Sequence, residues 1–162
     1  MADAFISKRR VLVVEEDSSV RDMMSDIYAF WGACVSFAGP GDAALGAAGL
    51  AAYNLVVLSW DFDAVCPLQV VSRIEALRPR GPGLILTTAR GPAIRLVVVQ
   101  ACGGQLPVIL MPFALEVLRL ASRATMIRTW VTGTAASDPH QLTWPLSALL
   151  PATGANDAYE AA

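Results

Sequence analysis

Carboxylates and hydroxyls in this chain collect where apolar runs end. VLVV at 11–14 meets Glu15, Glu16 and Asp17; NLVVLS ends in Ser59, with Asp61 and Asp63 just beyond; LILTTA presents Thr88, with Arg90 two residues later. Clustered carboxylates are hard oxygen donors suited to Mg²⁺, and a side-chain oxygen at the end of a buried strand is where a nucleophile would be delivered. Ser59, however, offers an alcohol of high pKa with no base beside it, and the sole histidine, His140, lies far along the chain. The sole lysine, Lys8, is equally distant in sequence, so Met111, after the apolar run 108–110, stands at its strand end without charge.

The elements that must position these residues follow from periodicity. Short continuous apolar runs at 11–14, 34–38, 55–58, 84–87 and 108–110 fit buried strands. Between them, helical spacing predicts helices from Ser18 or Ser19 as cap to Trp31, over 43–52, over 67–77 with Leu68, Val71, Ile74 and Leu77 on one face, over 94–102, and from MPF to about 128. Strict alternation with short connections predicts a parallel sheet with helices on both faces and the site at the strands' carboxyl ends.

Bulk properties narrow the class. The 162 residues suffice for one core, and 55% hydrophobic against 16% charged residues argues for an ordered domain with an apolar surface. A net charge of −2 gives no reason to expect nucleic-acid binding. The uncharged windows 43–60 and 96–115 are interrupted by Asn54 and by Gln100, Gly103, Gly104, Gln105, Pro107 and Pro112, so no membrane span is expected. MADAFISKRRVLVVEED has only four apolar residues after its basic ones, unlike a signal peptide, and a cytoplasmic protein is expected. Cys34, Cys66 and Cys102 lack metal or redox spacing and are expected to be buried thiols.

VLVVEEDSSVRDMM, NLVVLSW, LILTTA and MPF, in that order over residues 10–128, resemble the receiver (CheY-like) domain of bacterial two-component response regulators. The resemblance implies a flavodoxin-like (βα)5 three-layer sandwich with sheet order 2-1-3-4-5. It also implies an aspartate on the third strand that takes a phosphoryl group from a histidine kinase, with Mg²⁺, a Thr and a Lys around it. By position the acidic pair falls on Glu15 and Glu16, the hydroxyl on Thr88, the acceptor on Ser59, the Lys on Met111 and the aromatic switch on Val108. The departures imply a pseudo-receiver, non-enzymatic and without a required cofactor, that signals independently of phosphorylation. Residues 1–9 are expected as an amino-terminal tail, and 129–162 as an extension that either docks, through Trp144, Leu146, Leu149 and Leu150, or stays disordered.

Alternatives remain at several positions. Glu15, Glu16 and Asp61 either gather a divalent ion such as Mg²⁺ or form a solvated acidic loop; Asp61 is also a substitute acceptor. Arg90 either supplies the missing positive charge or is solvated, and Arg119, Arg123 and Arg128 either bind a phosphate-rich ligand or complement a helix dipole. The face around the fourth helix, fifth strand and fifth helix, with Arg95, Val98, Val99, Leu106, Leu115 and Arg119, is expected to dock a histidine kinase, another regulator or a second copy as a homodimer; otherwise Leu96, Val97 and Val98 fill the core. The competing function is a small-ligand or divalent-ion sensor using Glu16, Thr88, Arg90 and Met111.

Overall fold

The computed structural model describes residues 2–39, 42, 45–61, 67–101 and 106–134. Five strands, β1 (Arg10–Val14), β2 (Cys34–Ala38), β3 (Leu55–Ser59), β4 (Gly83–Thr88) and β5 (Val108–Leu110), form one sheet in the order β2-β1-β3-β4-β5. Every pairing is parallel, the expected arrangement for strands joined by helical crossovers. All residues of β3 and β4 are buried, which explains why they read as continuous apolar runs: helices cover both faces.

Period-two alternation divides the core. Leu12, Val14, Val56, Leu58, Leu84, Leu86 and Val108 point to one side, where they meet α3 (Pro67–Ala76) and α4 (Pro92–Ala101) through Val70, Val71, Ile74 and Val98. Val11, Val13, Leu55, Val57, Ile85 and Ile109 point to the other, packing on α1 (Ser18–Phe30) and α5 (Leu115–Thr134) through Met24, Tyr28, Leu118 and Ala121. Each fully buried Val or Leu contributes roughly 1.5–3 kcal/mol. Asn54 fixes the start of β3: its Oδ1 accepts from Arg10 N–H at 2.9 Å, its N–H donates to the Arg10 carbonyl at 2.8 Å, and its carbonyl accepts from Gly83 N–H at 2.9 Å.

Several local expectations are corrected. The cap of α1 is Asp17, whose carboxylate accepts from Ser19 and Val20 N–H, rather than a serine; an ionised acceptor is the better partner at the positive end of a helix. The helix α2 covers only Ala47–Leu50, shorter at both ends than the expected 43–52, of which 43 and 44 lie outside the described residues. On α3 the buried stripe is Pro67, Val70, Val71 and Ile74, while Leu68 is exposed; the stripe keeps i, i+3, i+4, i+7 spacing but starts one residue earlier. The last helix continues past Arg128 to Thr134. Cys34 is exposed on the edge strand β2, not buried. Asp63, Cys66, Cys102 and the tail from 135, with its expected docking turn, lie outside the described residues.

The amino-terminal stretch is packed, not a free tail. Asp3 N–H donates to the Trp31 carbonyl and Lys8 N–H to the Gly32 carbonyl, and Ile6 is completely buried. Asp3 Oδ1 accepts from Phe5 and Ile6 N–H, while Oδ2 faces Arg119 at 3.5 Å and Arg123 at 3.8 Å. Gly32 permits this closure, since it has φ of +85° and a Cβ there would meet Ser7 Oγ at 3.0 Å.

One buried polar link joins α1 to α5. Ser122 Oγ donates to the Leu118 carbonyl at 2.7 Å, so its lone pairs take the Tyr28 hydroxyl proton, also at 2.7 Å. Burial pushes the Tyr28 phenol well above its ordinary pKa, and the bond to Ser122 opposes this only in part. Because an orphaned buried donor costs more than a removed one, Ser122→Ala should destabilise by about 1–3 kcal/mol and Tyr28→Phe by about 1 kcal/mol. Urea denaturation of both variants checks the order; equal or reversed losses would contradict this assignment.

Candidate functional site

The carboxyl ends of β1, β3, β4 and β5 bring Glu15, Ser59, Thr88 and Met111 to one edge of the sheet, as their places in the sequence predict. Pairing sets Ser59 opposite Thr87, so Thr88 lies one residue further out. Met111 N–H donates to the Thr88 carbonyl at 2.8 Å, which seats the half-buried Met111 beside it. Val108, at the switch position, is buried in the core.

Ser59 is 2% exposed, and its oxygen accepts a hydrogen bond from Asp61 N–H at 3.2 Å. A hydroxyl that takes the N–H two residues on forms a local turn. Ser59 therefore anchors the turn at the end of β3 that leads the chain toward β4. Trp60 N–H, donating to the Thr87 carbonyl at 2.7 Å, holds the same turn.

Asp61 is the centre of the site. Its Oδ1 accepts the Thr88 hydroxyl proton at 2.7 Å, its Oδ2 accepts Ala89 N–H at 2.6 Å, and Arg90 Nε lies 3.4 Å from Oδ1. Thr88 is fully buried, and its Oγ1 also accepts from Arg90 N–H at 3.2 Å. Charge-assisted bonds of this kind are about twice as strong as neutral ones. The Arg90 contact, half exposed to solvent, is the lesser part.

The acidic loop is organised differently. Glu15 is buried and its Oε1 accepts Asp17 N–H at 3.0 Å, while Glu16 is exposed. Among the described residues no three acidic, His or Cys side chains gather to hold a metal ion, so Glu15, Glu16 and Asp61 do not form the cluster considered from sequence. The reason is geometric: Asp61 is drawn to the end of β4.

The expected partner face is also redistributed. Val98 and Leu106 belong to the core and Val99 packs against it, whereas Leu96 and Val97 are 66% and 54% exposed. Leu115 is exposed and Arg95 half-buried. Arg119 donates through Nε and Nη2 to Glu116 at 2.9 and 2.6 Å and faces Asp3; that fork holds the Glu116 carboxyl below its ordinary range. Arg128, its pKa lowered by burial and by Arg78, sits apart from Arg119 and Arg123, so the three arginines do not form one anion site. Asp3 and the Ala89 amide escaped sequence reasoning: the first lay in an assumed tail, and a main-chain donor leaves no mark in side-chain patterns.

Comparison with known proteins agrees with this fold. No family model matches the chain. It is 30% identical over 122 residues to the "Probable transcriptional regulatory protein TcrX" of Mycobacterium tuberculosis, a match covering 75% of this chain but 51% of that protein, so the chain spans about half the length of this curated relative. Among solved structures it is similar to the signal receiver domain assigned to a Luxo repressor protein of Vibrio parahaemolyticus, at TM-score 0.65 and 16% identity over 81% of this chain and 99% of that one. It is likewise similar to a CheY-like response regulator receiver domain of Methanospirillum hungatei, at TM-score 0.59 and 21% identity over 77% and 98%. The chain has the flavodoxin-like fold of response-regulator receiver domains. Among the described residues no helix is long and apolar enough to cross a membrane.

Proposed function

We propose that this chain is an atypical receiver that signals by protein–protein contact in a two-component or phosphorelay setting, independently of phosphorylation and without catalysing a reaction. The observation that carries this proposal is the state of the acceptor position. Ser59 lies where the resemblance puts the phosphorylated aspartate, and its buried oxygen accepts Asp61 N–H. Met111 has no charge to stabilise phosphoryl transfer, and Val108 has no aromatic ring to swing. Asp61, the substitute acceptor considered from sequence, accepts a hydrogen bond on each oxygen, from Thr88 and Ala89. A cytoplasmic location and a site without Mg²⁺ belong to the same proposal.

The contact surface we assign is the α4–β5–α5 face, with a second copy of the chain as first partner and a histidine kinase or another regulator as the alternatives. Exposed Leu96, Val97 and Leu115 support it, since side chains of this size facing water favour association. The competing sensor of small ligands has less support, because Thr88 and Arg90 are turned toward Asp61.

Incubation with acetyl phosphate and Mg²⁺, followed by intact-mass measurement, is expected to leave the mass unchanged. A phosphoryl adduct that disappears in Asp61→Ala would overturn the proposal. In sedimentation velocity the wild-type chain is expected to dimerise and Val97→Glu to be monomeric, since the variant buries an uncompensated charge at the contact. A dimer unaffected by Val97→Glu would rule out this face.

A further inference from the structure

The amino-terminal stretch is tied to the end of α1 by the Asp3 and Lys8 amides and to α5 by the Asp3 carboxylate, but it does not fill the space that these ties enclose. A groove of about 700 Å³ is left, walled by Phe5, Phe30, Trp31 and Leu115 and edged by Arg119 and Arg123. Phe30 is 66% exposed and Leu115 is exposed beside it. An apolar cover would release this concave surface from water.

Sequence and charge point to the chain's own tail as that cover. Residues 135–162 follow directly on α5 and contain Asp138, Asp157 and Glu160 but no lysine or arginine. The same stretch holds Trp144, Leu146, Leu149 and Leu150, and the three leucines have the i, i+3, i+4 spacing with which one helical face enters a groove. Arg123 suits one of the carboxylates: it is partly exposed, and its 3.8 Å approach to Asp3 is too long for a hydrogen bond, so guanidinium donors remain. Arg119, already forked onto Glu116, adds less.

The reach suffices. Arg123 lies eleven residues before the end of α5 at Thr134, about 16 Å along the helix axis. The ten residues from Thr134 to Trp144 span up to about 33 Å when extended. A linker of that length presents the segment at an effective concentration of about a millimolar, so weak apolar contacts are enough to hold it.

We infer that residues 144–150 fold back along α5 and dock in this groove, with Trp144 and the three leucines against Phe30 and Leu115 and a tail carboxylate on Arg123. Docked there, the tail covers the α1–α5 side of the domain. Of the residues that support the α4–β5–α5 contact, only Leu115 lines the groove, so the two surfaces can fail separately.

Photo-crosslinking of the full chain tests this, with benzoylphenylalanine in place of Phe30, an exposed position whose replacement leaves the core intact. The expected product is an intramolecular link to the peptide containing 144–150; a link only between two copies, or none to that peptide, would overturn the inference. Hydrogen exchange gives a second reading. In the wild-type chain the amides of 146–150 are expected to exchange about tenfold or more slowly than unstructured amides. That protection is expected to vanish in Phe30→Ser and to fall in Arg123→Gln, with the β3 amides protected throughout. Leu149→Ser, which leaves the sheet untouched, should abolish it as well and serves if Phe30→Ser does not fold. Unprotected 146–150 amides in wild type, or protection that survives Phe30→Ser or Leu149→Ser, would overturn the docking.

Discussion

The central strands β3 and β4 are buried along their whole length, so every polar group at their ends must find its partner inside the protein. Hydrophobic contact alone fixes their register poorly, because a slip by one residue exchanges one apolar face for another when both faces are covered. The polar ends supply what the apolar middle does not. At one end Asn54 bonds to Arg10 on one side and Gly83 on the other, and at the far end Trp60 bonds to Thr87. That register sets Ser59 opposite Thr87 and brings Asp61 to Thr88.

From this constraint the character of the site follows. The Ser59 hydroxyl stands where the resemblance puts an acceptor carboxylate, and its oxygen serves a turn. The turn in turn places a different carboxylate, two residues on, against the buried Thr88 hydroxyl and the Ala89 amide. Negative charge is therefore kept at the end of the sheet, but as a fixed, hydrogen-bonded group held between two loops.

The sheet was legible in the sequence because strand, helix and turn signals agreed along most of residues 10–128. β2 and β5 have the predicted limits, and the strand order is the one that the family resemblance, not the local signals, implies. What was not legible depended on rotation or distant contact. On α4 the run Leu96, Val97, Val98 is uniformly apolar, so pattern alone does not say that Val98 faces inward and its two predecessors outward. Leu68 on α3 posed the same difficulty. Asp3 joins residues more than a hundred positions away, and no local pattern announces such a pair. At the site, the identities of Ser59, Thr88 and Met111 were plain from sequence, whereas the engagement of Asp61 required the loop to be built.

Fluorine NMR of the wild-type chain with beryllium fluoride and Mg²⁺ tests most directly whether a phosphoryl group is accepted at the end of β3, because this complex mimics an acyl phosphate on an accessible carboxylate. A spectrum with only free fluoroberyllate signals is the predicted result. A stoichiometric bound signal that is lost in Asp61→Ala would contradict it.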